Sequence, residues 1–226
     1  MIKIKWHGHA AFEITSANGK KIYIDPWIEQ NPSCQVTLDQ LSAPDLVLVT
    51  HDHFDHMANA ADLLKKGGMS VGQPELIAQL VNSGIDQERL IGMNIGGTVE
   101  VAGIKVTMTQ AFHSAGQGSP TGFILTMEDG TVLYHSGDTG IFGAMKILGD
   151  IYNIDLAMIP IGSVFTMDPV QAAEATRMLS PKKVIPMHYR SFPILVQNAA
   201  EFSALVKQKA PDVEVVVMDP GQEIEY

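Results

Sequence analysis

The 226-residue chain has a formal net charge of −10, and its 15 Lys and Arg are scattered, which argues against extended contact with a nucleic-acid backbone. A single cysteine, Cys34, excludes an intramolecular disulfide framework and suits a reducing compartment, and residues 1–7 lack the apolar core of a signal peptide, so a cytoplasmic location is expected. No apolar run approaches the roughly 20 residues needed to cross a bilayer, and no shift of composition marks a linker, so residues 1–226 read as one soluble domain with no membrane association.

The chain opens with strand patterns at residues 2–6, 11–15 and 21–24, the last pair joined through the turn sequence Ala17-Asn18-Gly19, as in an antiparallel meander. A longer apolar run, Leu46-Val47-Leu48-Val49-Thr50, is entered through Pro44-Asp45 and reads as a buried strand. It leads directly into His51-Asp52-His53-Phe54-Asp55-His56, which holds three of the chain's eight histidines. The four ligand-type side chains His51, His53, Asp55 and His56, where a strand gives way to a loop, do not make a core. His51 and His53 alternate and can share a face, whereas Asp55 and His56 come from the turn that follows and can serve a second, adjacent ion. Structural zinc sites usually recruit thiolates, and with one cysteine the cluster reads as catalytic.

Beyond the hexad, residues 58–66 have helical composition ended by Gly67-Gly68, and residues 74–82 repeat the pattern with Pro74 at the start and Gly84 past the end. Residues 98–110 flank Ala102-Gly103 as a hairpin, followed by strands at 122–127 and 131–135 joined through Asp129-Gly130. The remainder reads as a strand at 154–159, a helix from Asp168-Pro169, a strand at 184–186, a helix over 198–209 and a strand at 213–217. Two strand-rich blocks, each followed by helical crossovers, predict an α/β (α+β) architecture with two sheets face to face and helices outside, an αββα sandwich. No internal repeat in the residue pattern accompanies the two blocks.

Three more ligand-type residues close strand patterns downstream: His113, Asp138 and His188. Singly, each is an ordinary turn or capping residue. Taken in order, hexad, single His, Gly-Asp and single His closely resemble the metallo-β-lactamase superfamily, over nearly the whole chain. Tyr23-Ile24-Asp25-Pro26-Trp27 is similar to the first motif of that superfamily. With Trp6-His7-Gly8-His9 and Tyr134-His135-Ser136-Gly137-Asp138-Thr139, the chain resembles its small single-domain metal-dependent hydrolases, which are similar to the L-ascorbate-6-phosphate lactonase branch.

The resemblance implies a four-layer αββα sandwich of the metallo-β-lactamase fold and a dinuclear centre. It assigns His51, His53 and His113 to one metal, Asp55, His56 and His188 to the other, and Asp138 to a bridge between them. Neutral imidazoles suit zinc first, with manganese, iron or nickel as alternatives, and a shared carboxylate holds two divalent ions roughly 3.5–4 Å apart. A hydroxide bridging such a pair is a nucleophile near neutral pH. Asp55 counts among the catalytic groups as well as the ligands. His7 and His9 are expected at the pocket mouth, in substrate binding or proton transfer, while Asp25 and His135 are expected behind the ligands as orienting partners.

Pocket walls are expected from residues 114–121, 162–166 and 189–192, with Tyr189 as a hydrogen-bond or proton donor and Arg190 as the holder of a substrate carboxylate or phosphate. The sequence thus predicts a hydrolase of an ester, lactone or phosphodiester bond in a small-molecule substrate, with a homo-oligomer left open. A nuclease of the same superfamily is the first competitor. The acidic chain, with 24 residues between His113 and Asp138, leaves no room there for an inserted basic arm. A non-catalytic metal-binding protein is the second, and it would be expected to have lost ligands; none is missing.

Overall fold

The computed structural model describes residues 1–226. β1 (Lys3–Gly8), β2 (Ala11–Thr15) and β3 (Lys21–Ile24) form the expected meander, with Ile4 opposite Ile14 and Ile14 opposite Ile22. β4 (Leu46–Leu48) joins β3 in parallel. α1 (Phe54–Met57) and α2 (Ala60–Lys65) then cross to β5 (Met69–Gly72), and α3 (Pro74–Asn82) crosses to β6 (Leu90–Gly92), both strands again parallel. The second half follows the same plan. β7 (Thr98–Val101), β8 (Ile104–Gln110), β9 (Thr121–Thr126) and β10 (Val132–His135) pair antiparallel, and α4 (Ala144–Ile151) leads into the parallel β11 (Leu156–Pro160). α5 (Pro169–Leu179), β12 (Lys183–Met187), α6 (Ala200–Lys209) and β13 (Glu214–Val215) continue the parallel part, and β14 (Glu223–Glu225) returns to pair with β1.

Each sheet has seven strands and changes once from antiparallel to parallel pairing, at β3/β4 in the first and at β10/β11 in the second. The strand period of two explains the layering. Ile22, Ile24, Leu46 and Leu48 enter a large core shared with Val106, Met108, Phe123 and Leu125 of the second sheet. Tyr23 and Val47, one position out of phase, instead join Leu63, Leu64, Leu76 and Leu80 beneath α2 and α3. Ala172, Ala173, Phe202 and Val206 of α5 and α6 pack into the shared core from the second sheet's side, completing the αββα order.

Several elements differ from expectation. The helix read over 58–66 is split, because Asn59 leaves helical geometry and its side-chain oxygen accepts from the N–H groups of Ile28 and Glu29 at 2.8 and 2.9 Å. β5, β6, β14 and α4 were not anticipated: the three strands are only three or four residues long, and α4 buries a single side chain, Met145. Pro186 sits inside β12 without cost, since pairing with β13 stops at Val184 and leaves an open flank where the missing N–H is not needed. No helix is long and apolar enough to cross a membrane.

The meander also carries a nearly buried ion group. The Glu13 carboxylate accepts from Lys21 Nζ at 2.6 Å and from His7 Nε2 at 3.2 Å. Burial pushes its pKa up, but the His7 and Lys21 hydrogen bonds outweigh this and bring it from 4.5 down to about 2. A depressed carboxylate contributes stability that is present above its unfolded pKa and lost as pH falls toward the folded one. Glu13→Gln is therefore expected to be destabilising at pH 7, with the deficit relative to wild type shrinking as pH falls below about 4.5. Urea unfolding across that range checks it; a deficit independent of pH would refute the ion group's role.

Candidate metal centre

Strands running in one direction end at one edge of each sheet, and the two edges meet. His9 follows β1, Asp25 follows β3, and residues 51–56 follow β4; His113, Asp138 and His188 follow β8, β10 and β12. In α/β sheets ligand sites form outside the carboxyl ends of strands, where diverging connections leave a crevice. Two glycines permit the close approach. A Cβ on Gly137 (φ +62°) would lie 2.3 Å from the Thr121 carbonyl oxygen, and one on Gly162 would lie 2.0 Å from that of His188. Six of the nine non-glycine residues with positive φ lie in the connections that follow the strands at this edge: His9, Asp25, Ser163, Val164, His188 and Arg190. Left-handed backbone at such residues costs about 1 kcal/mol or more each, so the fold stores strain at this edge.

The donors fall into three overlapping groups: His51, His53 and His113; His9, Asp55, His56 and His188; and His51, His56 and Asp138. Within each, the ligand atoms all lie within 4.8 Å of one another. The third group joins the other two. Asp138 Oδ2 lies 2.9 Å from His188 Nε2, 3.3 Å from His56 Nε2 and 3.6 Å from His113 Nε2.

Tautomers follow from the hydrogen bonds. Asp25 Oδ2 accepts from both His56 Nδ1 and Thr50 Oγ1, at 2.8 and 2.7 Å, while its Oδ1 accepts from the Thr50 N–H at 2.7 Å. Since the Thr50 hydroxyl proton is committed to Asp25, its oxygen accepts from His51 Nδ1 at 3.0 Å. One carboxylate thus turns two imidazoles so that each Nε2 faces the crevice. Burial and the neighbouring His56 lower His51 to about 2, keeping it neutral as a ligand must be. Burial also lowers His56, but Asp138 and Asp25 overcome it and raise that group well above its ordinary value. Asp138 is itself held low by His188 and His56 against the opposing effect of burial.

These residues fit divalent metal ions. His56 Nε2 and Asp138 Oδ1 are buried without hydrogen-bond partners, and the donor set is imidazole and carboxylate throughout. Replacing Asp25 by Asn, which offers an N–H where two donors need an acceptor, is expected to lower metal affinity about 10- to 100-fold with the fold retained. Competition with a chromogenic chelator measures it, and unchanged affinity would remove Asp25 from this role.

Asp55 lines the crevice and accepts from His9 Nε2 at 3.1 Å, and Ser191 Oγ donates to His9 Nδ1 at 2.6 Å. Burial, then the nearby His188, lowers His9 to about 4, so it is neutral at pH 7. His135 lies behind the site as expected: its Nε2 donates to the Ala10 carbonyl at 3.0 Å, and its Nδ1 accepts from the Gly137 N–H at 3.2 Å, fixing the turn that carries Asp138.

Three expectations need correction. His7 does not accompany His9, because a bulge between Trp6 and Gly8 breaks the alternation and turns His7 onto Glu13. Tyr189 is 1% exposed and stacked on Trp6 at 5.4 Å, away from the crevice, and Arg190 points outward to Asp219 at 3.0 Å. The reading of the sequence also missed Asp52, whose carboxylate accepts from the N–H groups of Gly116 and Gln117 at 2.7 and 2.9 Å and ties down the loop after His113. Phe54, inside the hexad, was missed as well; its apolar character among ligands was the available signal.

The centre opens into a cavity of about 550 Å³ lined by His53, Asp55, His113, Asp138 and His188 together with Ser114 and four apolar side chains. A family profile described as "Beta-lactamase superfamily domain" matches residues 20–189. A UPF0173 metal-dependent hydrolase of Nitratidesulfovibrio vulgaris (strain DP4) is 48% identical over 226 residues, covering 98% of this chain and 94% of that protein. Its counterpart from Pyrobaculum islandicum is 46% identical over 224 residues, covering 97% and 98%. A solved metallo hydrolase from the hyperthermophilic archaeon Ignicoccus hospitalis superposes with a TM-score of 0.90 at 37% identity, covering 100% of this chain and 99% of that one. With the ligand motifs in order along the same fold and relatives similar from end to end, the chain belongs to the metallo-β-lactamase superfamily and, within it, to the UPF0173 metal-dependent hydrolases.

Proposed function

We propose that this chain hydrolyses an ester, lactone or phosphodiester bond of a small molecule at a centre of two divalent transition-metal ions, zinc first among them. The observation that carries the reading is the position of Asp138, whose group shares His51 with the three-histidine cluster and His56 with the His9-Asp55-His56-His188 cluster. Two cations held there would supply water acidified enough to attack at neutral pH, and positive charge to meet the developing oxyanion. The chain's own residues do the rest. Asp55, at the cavity wall with its carboxylate aligned by the His9 N–H, stands ready to take a proton from the attacking water and pass it to the leaving group. Burial raises its pKa, but the His9 hydrogen bond prevails and keeps the carboxyl below its usual range, so it begins as a base.

The nuclease alternative finds little support, since neither Lys nor Arg lines the cavity. Metal-replete protein is expected to hydrolyse members of a panel of chromogenic esters, lactones and phosphodiesters, to lose that activity with a chelator, and to leave structured RNA intact at physiological salt. Cleavage of RNA at micromolar concentration with the panel untouched would reverse the assignment.

A further inference from the structure

The apolar side chains around the cavity form a built surface. Phe54, Phe165 and Ile194 are 66%, 55% and 60% exposed, yet all three line the same cavity, with Phe192 beside them. Isolated exposed apolar residues are ordinary, but several converging on one concave site mark a binding surface. The buried Trp27 backs this wall: it stacks on Phe192 at 5.6 Å and meets the edge of Phe54 at 5.6 Å, so both rings are held in place before any ligand arrives. Phe165 is held differently. It follows Ser163 and Val164, at φ +63° and +57°, and a β-branched residue in the left-handed region is strained; the short loop closes with Ser163 N–H donating to the Met167 carbonyl at 3.0 Å. No basic side chain balances a charged arm, because neither Lys nor Arg lines the cavity and Arg190 points outward to Asp219.

We propose that the cavity takes a carboxylic ester or lactone whose acyl part is an uncharged apolar arm of several carbons, aliphatic or aryl, seated against Phe54, Phe165, Phe192 and Ile194. This narrows the substrate class and rests on the hydrolase reading above. In the reaction the water oxygen bonds to the carbonyl carbon, the carbon–oxygen bond to the alcohol breaks, and a water proton ends on the departing alcohol. The acid leaves with its apolar arm.

The test measures binding of straight-chain carboxylates, acetate to octanoate, to metal-replete protein by calorimetry, with the matching p-nitrophenyl esters assayed in parallel. Affinity and kcat/KM are expected to rise roughly three- to fourfold per methylene until the arm outgrows the wall. Phe165→Ser combined with Ile194→Ser, both exposed positions, is expected to cut the binding increment to less than about twofold per methylene. Equal affinity for acetate and octanoate, or an unchanged increment in the double variant, would overturn the proposal; if that variant does not fold, the wild-type series alone decides. The two readings fail separately. Length-dependent binding without turnover of any ester, lactone or phosphodiester in the panel would remove the hydrolase and keep the apolar site, whereas turnover indifferent to chain length would keep the hydrolase and remove the apolar arm.

Discussion

Asp138→Asn is expected to leave a folded protein that holds less than one metal ion per chain and turns over substrate at least about 10³-fold more slowly than wild type. The substitution keeps the shape of a side chain that is 2% exposed and removes the negative charge that His56, His113 and His188 share. Without it, two cations placed in adjacent clusters would repel one another with no shared carboxylate to offset the repulsion. The amide also presents N–H to at least one imidazole whose lone pair a metal needs. Elemental analysis, a kcat measurement and far-UV circular dichroism on the same sample separate loss of the centre from loss of the fold. Wild-type occupancy and rate in the variant would take Asp138 out of the centre.

Removing the metal should be nearly as consequential. The donors come from separated segments and exceed what one tetrahedral ion requires, so purified, metal-saturated protein is expected to approach two ions per chain. Each ion that binds only the native state, present at about a thousand times its dissociation constant, adds about 4 kcal/mol to stability. For a chain of this size that corresponds to roughly 8–16 °C in Tm for each ion, lost on chelation and restored by added metal. Scanning calorimetry with and without chelator reads the shift. A single tightly held ion at saturation, or a Tm indifferent to chelation, would sink the dinuclear reading.

The order of ligand types along the chain was legible because each closes an apolar strand pattern, and a strand's end is visible in sequence where a side chain's direction is not. His51, His53, Asp55, His56, His113, Asp138 and His188 all arrive at one crevice for that reason. The errors share a cause. Alternation placed His7 with His9, but Gly8 at φ +97° and the adjoining bulge reset the phase. Likewise His188 at φ +56° turns the chain so that Tyr189 faces Trp6, and Arg190 at φ +59° sends its side chain toward Asp219. Left-handed conformations at non-glycine residues leave no compositional trace, since the surrounding fold imposes them. The hydrogen-bond chain from Asp25 through Thr50 to His51 is hidden for a similar reason, because it joins residues 25 positions apart across a parallel strand pair. The shared plan of the two halves was hidden too, because hydrogen-bonding topology can repeat without repeating residues.

The donors are divided between the sheets: His51, His53, Asp55 and His56 follow a strand of the first, and His113, Asp138 and His188 follow strands of the second. Neither half can assemble the full donor set before the two layers have docked, so metal ions bound there would arrive too late to guide folding. Their contribution would then fall after the transition state, slowing escape from the native state and leaving the rate of reaching it nearly unchanged. In stopped-flow measurements, added metal is expected to leave the refolding arm of the chevron in place and lower the unfolding arm. Metal supply would then govern how long each molecule survives proteases, while its speed of maturation stays the same.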